Sequence, residues 1–230
     1  MVTPFDTPRR EHEDRAENET YATILRAAHR QICGAGYHSV TIDDIVKQAG
    51  VSRATFYFYF RNKQQLFIQV ANAVMNEMYE VAGRHYPNED EYTRIVLANV
   101  AYLDVWARET KIIGQFFALS LVDPTIHEIY DRHRRRFEER IAGRLLRLIE
   151  QRRIPQADPK LLAATLSAMV EYFAFRFFAT DEAVSCRTYD FDDAVRILSE
   201  SWYRAVYGKL PPIDHPYERS RLEERQDGSG

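Results

Sequence analysis

The chain has 230 residues, of which 45% are hydrophobic and 28% are charged, and its formal net charge is −3. This ordinary globular balance allows one large domain or a small domain joined to a larger one, and the net charge alone neither favours nor excludes a polyanionic partner. Two widely separated cysteines, Cys33 and Cys186, exclude a disulfide framework and a cysteine-rich metal cluster. No apolar run approaches the roughly 18 residues that span a bilayer, and the N-terminus has no apolar signal region. We therefore expect a cytoplasmic protein without a membrane partner.

Apolar residues recur at helical spacing along almost the whole chain, which predicts an all-α protein of about nine helices without strands or internal repeats. A polar, charged segment precedes the first helix and is expected to be a disordered arm, residues 1–19. The first helix is predicted over residues 19–35. Thr41, Ser52 and Asn62 have side chains that cap helix N-termini, so each is predicted to precede one of the next three helices.

Five more helices are predicted after the fourth one, and together they indicate a helical bundle. Two of them follow an Asp-Pro pair, in which Asp caps the helix and Pro takes its first position. The five predicted helices lie at residues 91–109, at residues 111–122, from Asp123-Pro124, from Asp158-Pro159 to about Ala179, and from Asp190.

These elements divide the chain into an N-terminal helix-turn-helix domain, residues 20–66, a larger helical domain, residues 67–207, and a tail, residues 208–230. Charge is distributed unevenly between them. Residues 21–66 contain six basic and two acidic side chains and so carry a charge of +4, whereas the remainder of the chain is acidic. A basic domain on an acidic body is expected of a protein that contacts phosphate groups at one end.

The segment at residues 41–60 reads TIDDIVKQAGVSRATFYFYF, the pattern of a short helix, a glycine-centred turn and a second helix capped by serine. This pattern is typical of a helix-turn-helix, although similar helix pairs occur in all-α proteins that never bind DNA. Thr41 and Lys63 lie at two helix N-termini, where backbone amides and the helix dipole favour a phosphate group.

The second helix of this pair carries side chains suited to a major groove. Arg53 can bind guanine or phosphate, and Thr55 can contact a thymine methyl or a base edge. Tyr57 and Tyr59 can reach phosphates or bases. These side chains favour DNA binding as the function of the segment.

A longer pattern surrounds this segment: a glycine-aromatic pair, a helix started by Thr, an Ala-Gly-Val-Ser turn, and a Thr-aromatic-Tyr run followed by Phe and Lys. Here its members are Gly36-Tyr37, Thr41, Ala49-Gly50-Val51-Ser52, Thr55-Phe56-Tyr57, Phe60, Lys63 and Leu66. In this order and spacing, residues 21–67 resemble the N-terminal domain of the TetR family of bacterial transcriptional regulators.

The resemblance implies a fold, partners and a set of DNA contacts. The N-terminal helix-turn-helix domain would bind double-stranded operator DNA, and the C-terminal helical domain would bind a small inducer and form a homodimer. Ala54 departs from the glycine of many relatives, with little expected change. Phe56 and Phe60 are expected in the core, and the role of Phe58 stays open. The implied DNA contacts are Thr41, Ser52, Arg53, Thr55, Tyr57, Tyr59 and Lys63.

Aromatic residues with a few polar groups in the C-terminal body suit a largely apolar ligand, although aromatics at helical spacing also fill ordinary cores. Glu171 and Arg176 lie in an otherwise apolar helix, and either a pocket or a dimer interface would explain them. The predicted pocket residues are Tyr102, Trp106, Phe116, Phe117, Tyr130, Met169, Tyr172, Phe173 and Arg176.

The last two helices are the predicted dimer interface. The helix over residues 159–179 is apolar nearly all round and is therefore expected to be buried on every side. The last helix instead has one apolar stripe. Two such helices from each subunit can form a four-helix interface, although both can equally belong to a monomer core. The stripe consists of Phe191, Val195, Leu198 and Trp202.

Other polar features of the body are given ordinary roles. The basic run at residues 132–136, continued at Arg140 and Arg144, is expected to be a solvated helix face, with a second anion contact as the alternative. His127 and Asp131 lie one turn apart but have no third ligand nearby in sequence, so no metal is expected. No nucleophile motif, phosphate loop or dinucleotide motif occurs, so neither an enzyme nor a cofactor is expected.

The combined expectation is a dimeric repressor on a palindromic operator. An apolar ligand in the C-terminal domain would shift the fourth helix, change the separation of the two DNA-binding domains and lower their affinity for DNA. A transcriptional activator of the same fold and a helical interaction module without a ligand are the alternatives that the sequence leaves open.

Overall fold

The computed structural model of the protein describes residues 7–179 and 189–211, with side chains from residue 18 onward. These ranges contain α-helices and one short π-helical segment but no strand, which confirms the predicted all-α class. The helices are α1 (Thr7–Ala35), α2 (Ile42–Ala49), α3 (Arg53–Tyr59), α4 (Lys63–Ala82), α5 (Glu91–Arg108), α6 (Thr110–Ser120), α7 (Pro124–Glu150), α8 (Pro159–Ala174) and α9 (Phe191–Tyr207), with the π segment (Phe175–Ala179) following α8.

Helix α1 begins at Thr7, so the expected disordered arm is wrong for residues 7–19. The local sequence explains the difference. Residues 11–19 read EHEDRAENE, in which Glu, Arg and Ala are good helix formers, and Glu11 and Arg15 place opposite charges four residues apart. The remainder of the predicted arm, residues 1–6, lies outside the described residues.

The three predicted N-caps begin the next helices as expected. Thr41 and the Asp44 carboxylate form a reciprocal capping box at α2, because each side chain pairs with the other residue's backbone N–H. Ser52 Oγ accepts from the backbone N–H of Thr55 at α3, and Asn62 Oδ1 accepts from that of Gln65 at α4. Each bond satisfies an amide that the helix itself leaves without a partner.

The N-terminal domain is held by a core that continues into the body. Helix α1 packs on α2, α4 and α6, and α2 packs on α3. Ile24, Phe56 and Phe60 are essentially inaccessible to solvent, as predicted for the two phenylalanines. Leu66 and Phe67 at the start of α4 belong to the same hydrophobic cluster. The helix-turn-helix and the body therefore share one continuous core along α4.

The body is a bundle in which α5 packs on α4 and α9, while α7 packs on α6 and α8. Asp123, Asp158 and Asp190 cap α7, α8 and α9, as their sequence positions predict. A buried hydrogen bond of 3.0 Å from Asn99 Nδ2 to Ser199 Oγ joins α5 to α9. These contacts leave a cavity between α5, α7, α8 and α9.

Two expectations about α8 are wrong. The side chains of Leu161 and Tyr172 are 66% and 58% exposed, so the helix is not buried on every side in the single chain. The stretch Pro159–Ala179 is also long and apolar enough to cross a membrane, so an apolar run of that length does occur. The core helix of a soluble protein passes the same test. The predicted tail is described only to residue 211, and Cys186 lies outside the described residues.

Candidate functional site

Helix α3 has a buried side and an exposed side. Phe56 is fully buried, and the α3 C-cap Phe60 is 1% exposed, so both anchor the helix to the domain core. On the opposite side, Tyr57 is 48% exposed and Phe58 is 70% exposed. Arg53 also lies on this open side. The exposed side of α3 therefore presents polar and aromatic groups, while the buried side fixes the helix to the domain core.

Arg53 forms an exposed ion pair with α2. Its Nη1 atom lies 2.8 Å and 2.9 Å from the two carboxylate oxygens of Asp43 on α2. A hydrogen bond with Tyr57, followed by the charge of Asp43, raises the pKa of Arg53. Exposed pairs of this kind contribute little to stability, so the guanidinium can exchange Asp43 for a phosphate or a base edge at small cost.

The hydroxyl groups of Thr41, Ser52 and Thr55 are already engaged in local hydrogen bonds. Thr41 Oγ1 donates to Asp44 Oδ2 at 2.6 Å, and these contacts from Thr41 lower the pKa of Asp44. Ser52 Oγ and Thr55 Oγ1 lie 2.8 Å apart. These residues therefore shape the helix starts, and each hydroxyl must turn its proton away from its present partner before it can donate to a phosphate.

Lys63 and Tyr59 face the protein more than the sequence suggests. Lys63 Nζ donates to the carbonyl oxygens of Tyr37 and Val40 at 2.9 Å and 2.8 Å, and it lies 4.5 Å from the centre of the Tyr37 ring. Tyr59 is half-buried and packs edge-on against Tyr21. Lys63 thus fixes the turn before α2, and only its third N–H is free to bind phosphate.

The cavity in the body has a volume of about 460 Å³ and lies between α5, α7, α8 and α9, and the C-terminal end of α4 contributes to its lining. One wall is apolar and includes Ile95, Leu145, Leu166, Val170 and Trp202. The charged part of the lining has seven arginines against two glutamates, and Arg134 is also paired with Asp131 and Glu138 beside it. The arginines are Arg84, Arg94, Arg134, Arg140, Arg144, Arg147 and Arg153, and the glutamates are Glu91 and Glu171.

Of the nine predicted pocket residues, only Tyr102 lines this cavity. Trp106 and Phe116 are fully buried in the core, while Tyr172 is exposed. The reason is that aromatic rings in this region pack on one another, as Phe117 does on Tyr130 and Phe175. The others, Tyr130, Phe117, Met169, Phe173 and Arg176, are buried or half-buried outside the lining.

The expected solvated face of α7 is also part of the cavity lining, because Arg134, Arg140 and Arg144 line the cavity while the Arg134 and Arg144 side chains stay 41% and 43% exposed. Sequence periodicity alone could not show this, since the partner helices come from distant parts of the chain. The structure also places a carboxylate among these arginines, which the sequence did not reveal. Glu91, the first residue of α5, lies among these arginines.

Glu91 accepts hydrogen bonds from Arg144, from Arg153 at 3.1 Å and from the Tyr207 hydroxyl at 3.0 Å. Burial alone would raise the pKa of Glu91, but Arg144 and the other donors hold it below its ordinary value. The carboxylate is therefore ionised at neutral pH and surrounded by cations. Glu91 is thus the anion that these arginines hold in the structure.

Glu171 lies at the other end of the lining and is nearly buried. It accepts a short hydrogen bond from the Tyr130 hydroxyl, and burial raises its pKa. Nearby, Ser167 Oγ and Trp202 Nε1 are buried without a hydrogen-bond partner among the described residues. Both residues belong to the cavity lining, although these two atoms are themselves inaccessible to solvent.

Stacked side chains connect the cavity lining on α7 to α4. The guanidinium groups of Arg136 and Arg140 lie 3.8 Å and 3.9 Å from the centre of the Tyr79 ring, and Arg140 Nη1 donates to the Tyr79 carbonyl at 2.6 Å. A Cβ atom on Gly83 would come within 1.9 Å of Arg140 Nη1. Glycine at this position therefore leaves room for the arginine that links α7 to α4.

His127 and Asp131, one turn apart on α7, each have other partners. His127 Nδ1 lies 3.2 Å from the Ser120 carbonyl, while Asp131 pairs with Arg134 and Arg135 on its own helix.

Comparison with known proteins gives a consistent family. A family model described as "Bacterial regulatory proteins, tetR family" matches residues 24–70, and one described as "BetI-type transcriptional repressor, C-terminal" matches residues 88–200. The HTH-type transcriptional regulator YvdT of Bacillus subtilis is 34% identical over 96 residues, which cover 41% of this chain and 45% of that protein. The chain thus spans about half the length of this relative.

Two solved structures have the same fold. A TetR-family transcriptional regulator from Rhodococcus sp. has a TM-score of 0.65 at 18% identity, covering 78% of this chain and 95% of that one. A transcriptional regulator from Saccharomonospora viridis, solved in complex with choline, has a TM-score of 0.63 at 20% identity, covering 81% of this chain and 96% of that one. At these sequence identities, the similarity shows only that the chains share a fold.

Proposed function

Because the chain belongs to the TetR family of bacterial regulatory proteins and is a transcriptional regulator, we propose that it acts as a cytoplasmic, homodimeric repressor. In this proposal α3 enters the major groove of a palindromic operator, and a small amphipathic anion in the body cavity releases the protein from DNA. The single observation that supports DNA recognition best is the division of α3 into a buried aromatic side and an exposed side with Arg53 and Tyr57.

On this exposed side, Arg53 and Tyr57 are the main groove contacts, with Phe58 as an apolar contact for a thymine methyl. Phe58 is 70% exposed and lies beside Tyr57, so its ring is accessible to a base edge. Thr41, Ser52 and Thr55 bind phosphates near the helix starts, and Lys63 contributes its remaining N–H. Tyr59 has the smallest role, because it is half-buried against α1.

The charge of the cavity changes the expected ligand from an apolar molecule to an amphipathic anion. Seven arginines outnumber two glutamates in the lining, and an apolar wall lies beside them. An anionic head group can pair with Arg134, Arg140 and Arg144, while an aliphatic or aromatic body packs on the apolar wall. The choline in the Saccharomonospora protein is a cation. The basic lining here disfavours such a ligand.

Release from DNA follows from the position of Arg140. This side chain both lines the cavity and holds the end of α4 through Tyr79. An anion that attracts Arg140 weakens its contact with Tyr79 and so lets α4 move relative to α7. Since α4 is about 30 Å long and begins at Lys63, a small rotation at the cavity displaces the DNA-binding helices. By linkage, DNA must lower the affinity for the anion by the same factor.

The dimer is proposed to form through α8 and α9. Leu161, Thr165, Ala168 and Tyr172 are exposed and lie along one stripe of α8, spaced by three or four residues. Ile197 is 52% exposed on α9. Only 28% of the most apolar window of Pro159–Ala179 is buried within the single chain. A second copy of the chain covers such a stripe and gives the two-fold symmetry that a palindromic operator requires.

The test is fluorescence anisotropy of the purified protein with labelled DNA from its own upstream region and with scrambled DNA, at two salt concentrations. We expect specific binding that weakens steeply with salt, because phosphate contacts release counterions. Arg53→Ala should lower the affinity for the specific DNA by about 10- to 100-fold. If a selection from random DNA also yields no preferred sequence, α3 is a structural helix and the proposal is wrong.

A further inference from the structure

A cluster of three potential metal ligands lies between the N-terminal domain and the body, away from both α3 and the cavity. His29 and Cys33 lie one turn apart on α1, and Glu109 lies at the junction of α5 and α6. His29 Nε2 is 2.8 Å from Glu109 Oε2, and Cys33 Sγ is 3.8 Å from His29 Nε2 and 3.6 Å from Glu109 Oε2. We propose that these side chains bind one divalent transition-metal ion, and that Zn²⁺ fits them best.

The distances suit a tetrahedral ion. With Zn–S bonds of about 2.3 Å and Zn–N or Zn–O bonds of about 2.0–2.1 Å, tetrahedral angles place sulfur about 3.5 Å from nitrogen or oxygen. The two sulfur distances here are already close to that value. The histidine nitrogen and the carboxylate oxygen must separate by about 0.5 Å, because a tetrahedral pair lies about 3.3 Å apart. The 38% exposed side chain of His29 can make this movement.

The surroundings orient Glu109 for such a role. Its side chain is only 5% exposed, and its second oxygen, Oε1, accepts from Arg108 Nε at 3.1 Å. The carboxylate therefore keeps Oε2 directed toward His29 and Cys33, as an outer partner does for many metal ligands. The neighbouring cations have partners of their own. Arg108 also pairs with Glu77 at 2.6 Å, and Lys111 Nζ donates to the Gly34 carbonyl.

Binding exchanges protons for the metal without any change of oxidation state. In the metal-free protein the Cys33 thiol keeps its S–H proton and directs it toward Glu109 Oε2 at 3.6 Å. The ion forms a bond to sulfur, and the proton leaves to solvent. His29 binds through Nε2 with its remaining proton on Nδ1. Because His29 and Cys33 are only half-buried, water can occupy the fourth position.

The mixed ligand set selects the class of ion. Thiolate and imidazole favour zinc and similar transition metals over Mg²⁺ and Ca²⁺, which prefer oxygen ligands. The expectation of no metal considered only His127 and Asp131. The spacing of His29 and Cys33 is visible in the sequence, but Glu109 is 80 residues from His29 and is brought to it only by the fold. A bound ion would join α1 of the N-terminal domain to the body.

The experiment uses untagged full-length protein that is freed of metal with a chelator and titrated with Co²⁺, followed by Zn²⁺. We expect one Co²⁺ per chain, visible d–d absorption of tetrahedral intensity and a near-ultraviolet thiolate-to-cobalt band, all lost when Zn²⁺ displaces Co²⁺. Cys33→Ser should abolish the thiolate band. Glu109→Gln, which keeps the side-chain length, should lower the affinity at least about tenfold.

Matched variants distinguish this site from adventitious binding. Cys186→Ser and His38→Ala change the second cysteine and an exposed histidine of the same domain, and both should keep the band and the affinity. Zn²⁺ should also raise the melting temperature of the wild type but not that of Cys33→Ser. A thiolate band that persists in Cys33→Ser, or Co²⁺ binding no tighter than in the His29→Ala/Cys33→Ser double variant, would overturn the assignment. Neither result depends on the DNA-binding proposal.

Discussion

Helix α4 joins two regions that hold their basic side chains in different ways. In the N-terminal domain, Arg53 is held by an ion pair with Asp43 in which both side chains are more than half exposed. At the other end of α4, Arg140 is half-buried between the Tyr79 ring, the Tyr79 carbonyl and the cavity. Burial lowers the pKa of Arg140 below its ordinary value. The pKa of the exposed Arg53 is instead raised, by Tyr57 and Asp43.

This difference separates recognition from signalling. An exposed ion pair contributes little, so Arg53 can change its partner to DNA while the backbone of α3 stays in place. A half-buried guanidinium loses its contacts only if the helices around it move or if another anion replaces them. In the proposed function, the N-terminal domain therefore binds DNA in the conformation that the structure shows. The body converts ligand binding into movement.

The largest expected effect tests the two sides of α3. Phe56→Ala removes a fully buried ring and should lower the free energy of unfolding by about 3–5 kcal/mol. Tyr57→Ala changes the next residue, which is 48% exposed, and should lower it by less than about 1 kcal/mol while weakening operator binding about tenfold. Urea unfolding and anisotropy measure the two quantities. Equal destabilisation by both variants would show that Tyr57 belongs to the core.

The second prediction concerns the exposed stripe of α8. Tyr172→Asp should weaken the dimer by about 2 kcal/mol or more, since it places a charge in an apolar interface. Analytical ultracentrifugation over a range of concentrations measures the dissociation constant. Leu121→Asp is the matched control, because Leu121 is 70% exposed at the end of α6 and should leave the dimer unchanged. A dimer that both variants leave intact must use another surface.

The same contrast explains how much the sequence could predict. Caps such as Thr41, Ser52 and Asp190 were predicted correctly because a capping side chain binds amides two or three residues away. The exposed side of α3 was visible for the same reason, since one helix and one buried face determine it. For the predicted DNA contacts themselves, the structure gives positions, and their roles stay predictions.

The cavity could not be predicted in this way. Its lining comes from five helices, and an aromatic residue at helical spacing looks the same whether it lines a cavity or fills a core. Phe116 therefore looked like a pocket residue but is fully buried, whereas Arg144, expected on a solvated face, also lines the cavity. Glu91 carries the clearest signal for an anion site, yet its arginine partners lie 53 and 62 residues away.

The third prediction tests the anion site with a defined probe. Dodecanoate should displace the fluorescent anion 8-anilinonaphthalene-1-sulfonate from the wild type, and Arg144→Ala should weaken dodecanoate binding by about tenfold or more, the value of one charge-assisted hydrogen bond. Arg135→Ala is the control, because Arg135 lies on the same helix but outside the lining. If dodecylamine competes as well as dodecanoate, the cavity does not select anions.

The fourth prediction isolates the link between the cavity and α4. Gly83→Ala introduces a methyl group where Arg140 Nη1 now lies, so it should displace the guanidinium from Tyr79 and leave most of the cavity intact. We expect the wild-type probe anion to lower operator affinity by about 5- to 150-fold, and this factor should fall toward one in the variant. Anisotropy with and without dodecanoate measures it. Unchanged coupling would remove Arg140 from the transmission.

The smallest effect is expected at Glu171, where burial opposes ionisation. Because burial raises its pKa in the folded protein, the wild type is penalised as pH rises from about 4.5 through the folded value. Glu171→Gln mimics the neutral form and can still accept from the Tyr130 hydroxyl. Its stability relative to the wild type, measured by urea unfolding, should therefore increase from pH 5 to pH 8.

Glu91→Gln gives the opposite case, because the pKa of Glu91 is lowered by Arg144 and the other donors. That variant should be less stable than the wild type at neutral pH, with the deficit shrinking only as the pH falls below about 4.5. Two parallel profiles would mean that the two ends of the cavity do not differ in charge as the structure indicates.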